Sequence, residues 1–173
     1  AGDEEGTGMK KISALIVAVL LVGSFGFTPV YSADKISFGF SVPLTGLYGK
    51  AGKVVLDSYK LWAKKMNSEG GILIGGKRYP VALVYYDDKS NPGLSARFFE
   101  KLITDDKVDL LLGGYGSSLV FAASAVSEKY KYPMICGAAS SNKLFKRGFE
   151  YYFSTLGKAT EEVRGCVEML KVL

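Results

Sequence analysis

The stretch that most constrains this chain is Asp109-Leu-Leu-Leu-Gly-Gly-Tyr-Gly-Ser-Ser118. Three consecutive leucines leave no polar face, so Leu110 to Leu112 read as a central strand covered on both sides. Gly113, Gly114 and Gly116 then allow a sharp turn and a close approach of the backbone to whatever lies past the strand end. Ser117 and Ser118 stand where the next helix begins. A serine there can cap the helix, and the free N–H groups behind it favour an anion. Both readings stay open on this stretch alone.

The pattern around that stretch is strand and helix in alternation. Ile36 to Val42 reads as a first strand, and Pro43 to Gly49 as a turn-rich loop. From Lys50 to Asn67, Val55, Tyr59, Trp62 and Met66 fall at helical spacing and mark the face that packs on a sheet. Ile72 to Tyr79 has the glycine pair of a small hairpin. Val81 to Tyr86 is a second strand, ending at Asp87-Asp88. Ser90-Asn91-Pro92 opens a helix to about Asp105 with a cap and a first-turn proline, burying Leu94, Phe98, Leu102 and Ile103. The helix after the glycine turn runs to Tyr130 through Ala122, Ala125 and Val126. Pro133 to Cys136 is a short strand, and a helical turn near Lys143 to Lys146 precedes another at Tyr151 to Ser154. A last amphipathic helix carries Val163, Cys166, Val167 and Leu170. This alternation predicts the α/β class, a parallel sheet with helices on both faces.

Three loops then gather at one edge of the sheet: Val42 to Lys50, Gly113 to Ser118, and Gly137 to Asn142. Ligands of open α/β sheets bind at such a rim. Here it offers hydroxyls, backbone N–H groups and a tyrosine, a surface for holding something small and polar. The chain has no histidine, which removes Ser-His-Asp and Cys-His catalysis and every histidine-bearing metal site. Gly46 to Lys53 fails as a phosphate loop, with one residue too many and Val54 where a hydroxyl is needed. Asp87-Asp88 lacks a third carboxylate for a cation and reads as a solvated strand end capping the next helix. With 22 basic residues against 17 acidic and no basic run longer than two, nothing suggests nucleic acid.

The chain begins with Ala1, and Ala1 to Gly8 is an acidic run without periodicity, read as a tag or upstream read-through. Met9-Lys10-Lys11 followed by the uncharged run Ile12 to Phe27 has the form of a secretory signal. The run is short of the roughly 20 residues of a spanning helix. Cleavage fits after Ser32 or Ala33, giving a signal peptide over residues 9–33 and a mature part over residues 34–173. Cys136 and Cys166, the only cysteines, are expected as two buried free thiols, although an oxidising compartment would permit pairing.

Six segments, in order and spacing, resemble the periplasmic leucine/isoleucine/valine-binding proteins, the branched-chain amino-acid type of ABC-transporter receptor. They are Gly39-Phe-Ser-Val-Pro-Leu-Thr-Gly46, Asn67-Ser-Glu-Gly-Gly71, Tyr86-Asp-Asp88, Gly113-Gly-Tyr-Gly-Ser-Ser118, Pro133-Met-Ile-Cys-Gly-Ala-Ala-Ser140 and Lys146-Arg-Gly-Phe149. The resemblance implies a type I periplasmic binding protein fold, of which residues 34–173 would be the N-terminal ligand-binding lobe, ending before a second lobe that closes the cleft.

It also implies that Ser117 and its N–H, the Ala138 carbonyl and Ser140 hold a ligand's carboxylate and ammonium groups. Ala139 would line the site through its backbone, and Tyr48 joins from the first loop, while Ala51 stands where some relatives have an aromatic residue. The implied role is non-catalytic and without cofactor or metal. It is binding of amino acids or related small polar ligands in the periplasm and delivery to an ABC permease of the inner membrane, by a protein that is a monomer when full length. On the same fold the alternative is a ligand-sensing domain of a signalling receptor, and a flavodoxin-like enzyme comes third.

Overall fold

The computed structural model describes residues 34–171. The tag, signal segment and cleavage point read from the sequence lie outside the described residues. β1 (Ile36–Val42) leads through α1 (Gly49–Ser68) and a hairpin, β2 (Ile72–Ile74) and β3 (Lys77–Tyr79), into β4 (Val81–Asp87). Then come α2 (Pro92–Thr104), β5 (Leu110–Leu112), α3 (Ser117–Lys129), β6 (Met134–Cys136), α4 (Asn142–Phe145) and β7 (Tyr152–Ser154). Two short helices follow, α5 (Ala159–Glu162) and α6 (Arg164–Leu170). The main sheet has five strands in the order β4-β1-β5-β6-β7, and every pairing in it is parallel.

That order decides where a ligand can sit. From β1 the chain steps outward to β4, then crosses back past β1 to β5 and continues in the opposite direction. The reversal parts the loops beyond β1 and β5, which leaves a crevice at the carboxyl ends of those strands. Because crossovers are right-handed, the reversal also sends α1 to one face and α2 with α3 to the other. The cores agree. Phe38, Phe40, Val42, Leu110 and Leu112 pack under α1 with Leu56 and Ala63. On the other face Leu111, Met134 and Cys136 pack with Phe99 and Leu102 of α2 and with Val120 and Ala123 of α3. The leucine run is thus divided between the two faces, as its lack of a polar side requires.

Coverage is uneven on the α1 face. Leu112, Ile135 and Phe153 lie side by side across β5, β6 and β7. Beyond the reach of α1, Ile135 is 44% exposed and Phe153 54%.

Several expectations are corrected. The buried face of α2 is Ser95, Phe99 and Leu102, with Leu94 and Phe98 on its flank. Phe98 instead stacks on Tyr86 at 4.9 Å. In α3 the buried small residues are Ala123, Ser124 and Ser127, while Ala125 is exposed. A face of small side chains lets α3 lie close to its neighbours, and that decides the packing more than apolar character does. The last helix is broken at Val163, and neither piece has a buried residue. Cys166 is therefore exposed, and only Cys136 is a buried free thiol.

Asp88 is no solvated strand end. It is fully buried, accepting from Ser41 Oγ at 2.6 Å and from the Ser90 N–H at 3.0 Å. The cap of α2 is Asn91, whose side chain accepts from the N–H groups of Gly93 and Leu94.

Candidate functional site

An open cleft of about 620 Å³ lies at the carboxyl end of the sheet. Its lining includes all five residues named from the sequence, Tyr48, Ser117, Ala138, Ala139 and Ser140, together with Ala51, Val54, Val55, Tyr115 and Leu156. Tyr48 comes from the β1 loop, Ser117 from the turn after β5, and residues 138–140 from the loop after β6. These are the rims that the strand order opens.

The turn after β5 is shaped by its glycines. A Cβ on Gly113 would lie 2.5 Å from Cys136 Cβ and Sγ, and one on Gly114 would strike the Ser41 carbonyl oxygen. Gly116 has φ +91°, in the left-handed region. The expected serine cap is absent. The N-cap of α3 is Gly116, which has no side chain to bond. Ser117 is the first helical residue, and its Oγ accepts from the Ser141 N–H at 3.2 Å. The N–H groups of Ser117, Ser118 and Leu119 have no protein acceptor among the described residues. An uncapped α-helix presents such groups, with the positive end of its dipole, to an anion.

The two loops are stitched together. The Gly116 N–H donates to the Ala138 carbonyl at 3.1 Å. That carbonyl, expected to be free for an ammonium group, already carries one bond and has one lone pair left. The Ala159 N–H donates to the Ser140 carbonyl at 2.7 Å, and the Ser140 hydroxyl has no hydrogen-bond partner among the described residues. Ala139 is buried in the same core cluster as Leu144 and also borders the cleft.

Opposite, Tyr48 and Tyr115 meet edge to face, 5.9 Å between centroids and 60° between planes. With Ala51, Val54, Val55 and Leu156 they give the cleft an apolar wall. Tyr115 and Leu156 were missed from the sequence. Tyr115 lay inside the quoted glycine turn, and Leu156 follows a strand that ends at the same rim, so position on the rim was the available signal.

Asp87 braces the first loop from below. Its carboxylate accepts from the Leu44 N–H at 2.8 Å, from Thr45 Oγ1 at 2.7 Å and from the Lys89 N–H at 2.8 Å. Burial pushes this carboxyl up, but the bonds from Thr45, Lys89 and Leu44 outweigh it and hold the group below the usual range. Asp88 is held above it, first by burial and further by the adjacent Asp87 charge, against the bonds from Ser41 and Ser90.

A family profile described as "Periplasmic binding protein" matches residues 35–172. The chain belongs to the periplasmic binding protein family. Among curated proteins, it is 28% identical over 142 residues to the Leu/Ile/Val-binding protein BraC3 of Rhizobium johnstonii, covering 82% of this chain and 37% of that protein. Two solved substrate- or solute-binding proteins are similar in structure. The branched-chain amino acid transporter substrate binding protein LivJ from Streptococcus pneumoniae, in complex with isoleucine, is 27% identical. It superposes with a TM-score of 0.66 over 72% of this chain and 34% of its own. A solute binding protein of an ABC transporter from Rhodopseudomonas palustris BisB5, in complex with 3,4-dihydroxybenzoic acid, is 28% identical. Its TM-score is 0.62, over 72% of this chain and 32% of its own. The chain thus spans under two-fifths of the length of these relatives.

Proposed function

We propose that this periplasmic binding protein lobe binds a small carboxylate, an amino acid in the leading reading, as the extracytoplasmic substrate-binding component of an ABC uptake system. The observation that carries this is the uncapped start of α3, with Ser117 beside the Gly137–Ser140 loop in the lining of the cleft. Ser117 Oγ is already an acceptor for the Ser141 N–H, so its own proton is free to donate to a carboxylate. The N–H groups behind it add charge-assisted bonds. The remaining lone pair of the Ala138 carbonyl and the Ser140 hydroxyl are left for a ligand ammonium group. The role is binding and delivery to an inner-membrane permease, in the periplasm after removal of the signal peptide. Two of the named relatives, a Leu/Ile/Val-binding protein and an isoleucine complex, support the amino-acid class.

A second reading of the ligand, an aromatic acid, has one observation in its favour. The Tyr48–Tyr115 pair offers a planar group an edge and a face, and one relative is solved with 3,4-dihydroxybenzoic acid. A thermal-shift screen of the protein against leucine, isoleucine, valine, phenylalanine and 3,4-dihydroxybenzoate separates the two. A concentration-dependent rise in Tm with aliphatic amino acids supports the leading reading. A rise with the benzoate alone replaces it with the second, and no rise with any of them contradicts both.

A further inference from the structure

Ser117 can meet a ligand in one geometry only if the glycine turn before it is held still. Gly113 and Gly114 lack Cβ atoms, and two adjacent glycines leave the peptide unit between them freer to rotate than any other pair would. The far end of the turn is fixed by the loop after β6, through Gly116 N–H to Ala138 O and Ser141 N–H to Ser117 Oγ. At the near end the Gly113 N–H donates to the Ile135 carbonyl at 2.7 Å. The Gly113 carbonyl points the other way, toward α1, and accepts from the Tyr59 hydroxyl at 2.6 Å.

Tyr59 is well placed to hold that carbonyl. Its ring packs edge-on against Phe40, 4.9 Å between centroids at 70°, within the apolar cluster under α1. Burial, and the nearby Cys136 to a lesser degree, push its phenol up, so the hydroxyl keeps its proton and stays a donor. No other side chain among the described residues bonds the backbone of Gly113 or Gly114. We propose that Tyr59 is a positioning residue of the ligand site: its hydroxyl fixes the Gly113 carbonyl and so sets the path of the chain from Gly114 to Ser117. The proposal rests on reading Ser117 as a ligand contact. It gives α1 a second task beyond covering the sheet, that of aiming the carboxylate-binding end of α3.

The test is Tyr59→Phe, which keeps the ring and its packing and removes only the hydroxyl. Amide hydrogen exchange is read at Gly113 and Gly116, whose N–H groups donate to the Ile135 and Ala138 carbonyls, with Leu83 and Val84 of β4 as internal controls. Affinity for leucine is read by calorimetry well below the unfolding transition, beside Ser117→Ala. The expected result is exchange in the turn at least about tenfold faster with the β4 amides unchanged, and a leucine Kd raised about three- to tenfold. A merely structural tyrosine would speed exchange at β4 and the turn alike, or leave the Kd untouched in the folded protein, and either outcome overturns the proposal. Unchanged exchange in the turn overturns it as well. If Ser117→Ala weakens leucine binding while Tyr59→Phe does not, the positioning role fails and the ligand site stands. If Ser117→Ala changes nothing, the ligand reading fails and the role of Tyr59 falls with it.

Discussion

Ser117 and Ser141 belong to different loops, and the N–H of Ser141 donates to the hydroxyl oxygen of Ser117 across 3.2 Å. That bond consumes a lone pair and leaves the Ser117 proton unspent, turning a residue that could have capped its own helix into a donor toward the cleft. Ser117→Ala should therefore weaken ligand binding by about 1.5–3 kcal/mol, the range for a hydrogen bond to a charged group, or roughly 10- to 150-fold in Kd. The serine does not cap α3, so stability should fall only by the loss of the one bond it accepts from Ser141, about 0.5–1.5 kcal/mol. Calorimetric titration together with a melting curve checks both halves. A large fall in Tm would show that the hydroxyl serves the fold.

Gly114 has the Ser41 carbonyl oxygen where a Cβ would go. Gly114→Ala must push β5 and β1 apart at the strand ends, an overpacking that costs about 1–3 kcal/mol. Urea unfolding should show a lower midpoint at unchanged slope.

The adjacent carboxyls Asp87 and Asp88 should respond to acid in opposite directions. The folded value of Asp87 is depressed, so its stabilisation is present above the ordinary carboxylate value near 4 and is lost as pH falls through the lower folded value. The stability gap between the native protein and Asp87→Asn should therefore narrow in acid. The folded value of Asp88 is raised, so the folded state binds its proton more tightly and gains stability as pH falls through that raised value. Relative to Asp88→Asn, the native protein should gain between neutral pH and about pH 4. Urea midpoints at several pH values read both trends.

Core and open face should separate cleanly. Phe99 is fully buried, and Phe99→Ala should cost about 3–5 kcal/mol. Phe153, more than half exposed, should tolerate Phe153→Ser at under about 1 kcal/mol. A thiol reagent should modify exposed Cys166 at once and buried Cys136 only on unfolding.

The contrast between those phenylalanines also marks what the sequence could reveal. The alternation of strand and helix was legible because Leu110 to Leu112, the Gly75-Gly76 hairpin turn and the Asn91-Pro92 helix start each carry a local physical signal. The rim was legible for the same reason, since a parallel sheet puts its loops at one end whatever their side chains. Helix faces were less so. Phe98 and Phe99 are equally apolar, and only the Ser41–Asp88–Ser95 cluster beneath α2 turns Ser95 and Phe99 inward. The role of Ser117 depended on Ser141, 24 residues away, and no local pattern could show that its oxygen was taken and its proton free. Val163, Val167 and Leu170 have helical spacing but no described element to pack against, so periodicity alone predicted a burial that does not occur.

The most direct test of the carboxylate site is an amide-resolved NMR titration of the protein with leucine. Saturable shifts are expected at Ser117, Ser118 and Leu119 and at Ala139 to Ser141, with Leu83 and Val84 unmoved, and the same ligand concentrations should leave Ser117→Ala far from saturation. Saturable shifts that bypass the start of α3, or identical titrations of Ser117→Ala and the native protein, would contradict it.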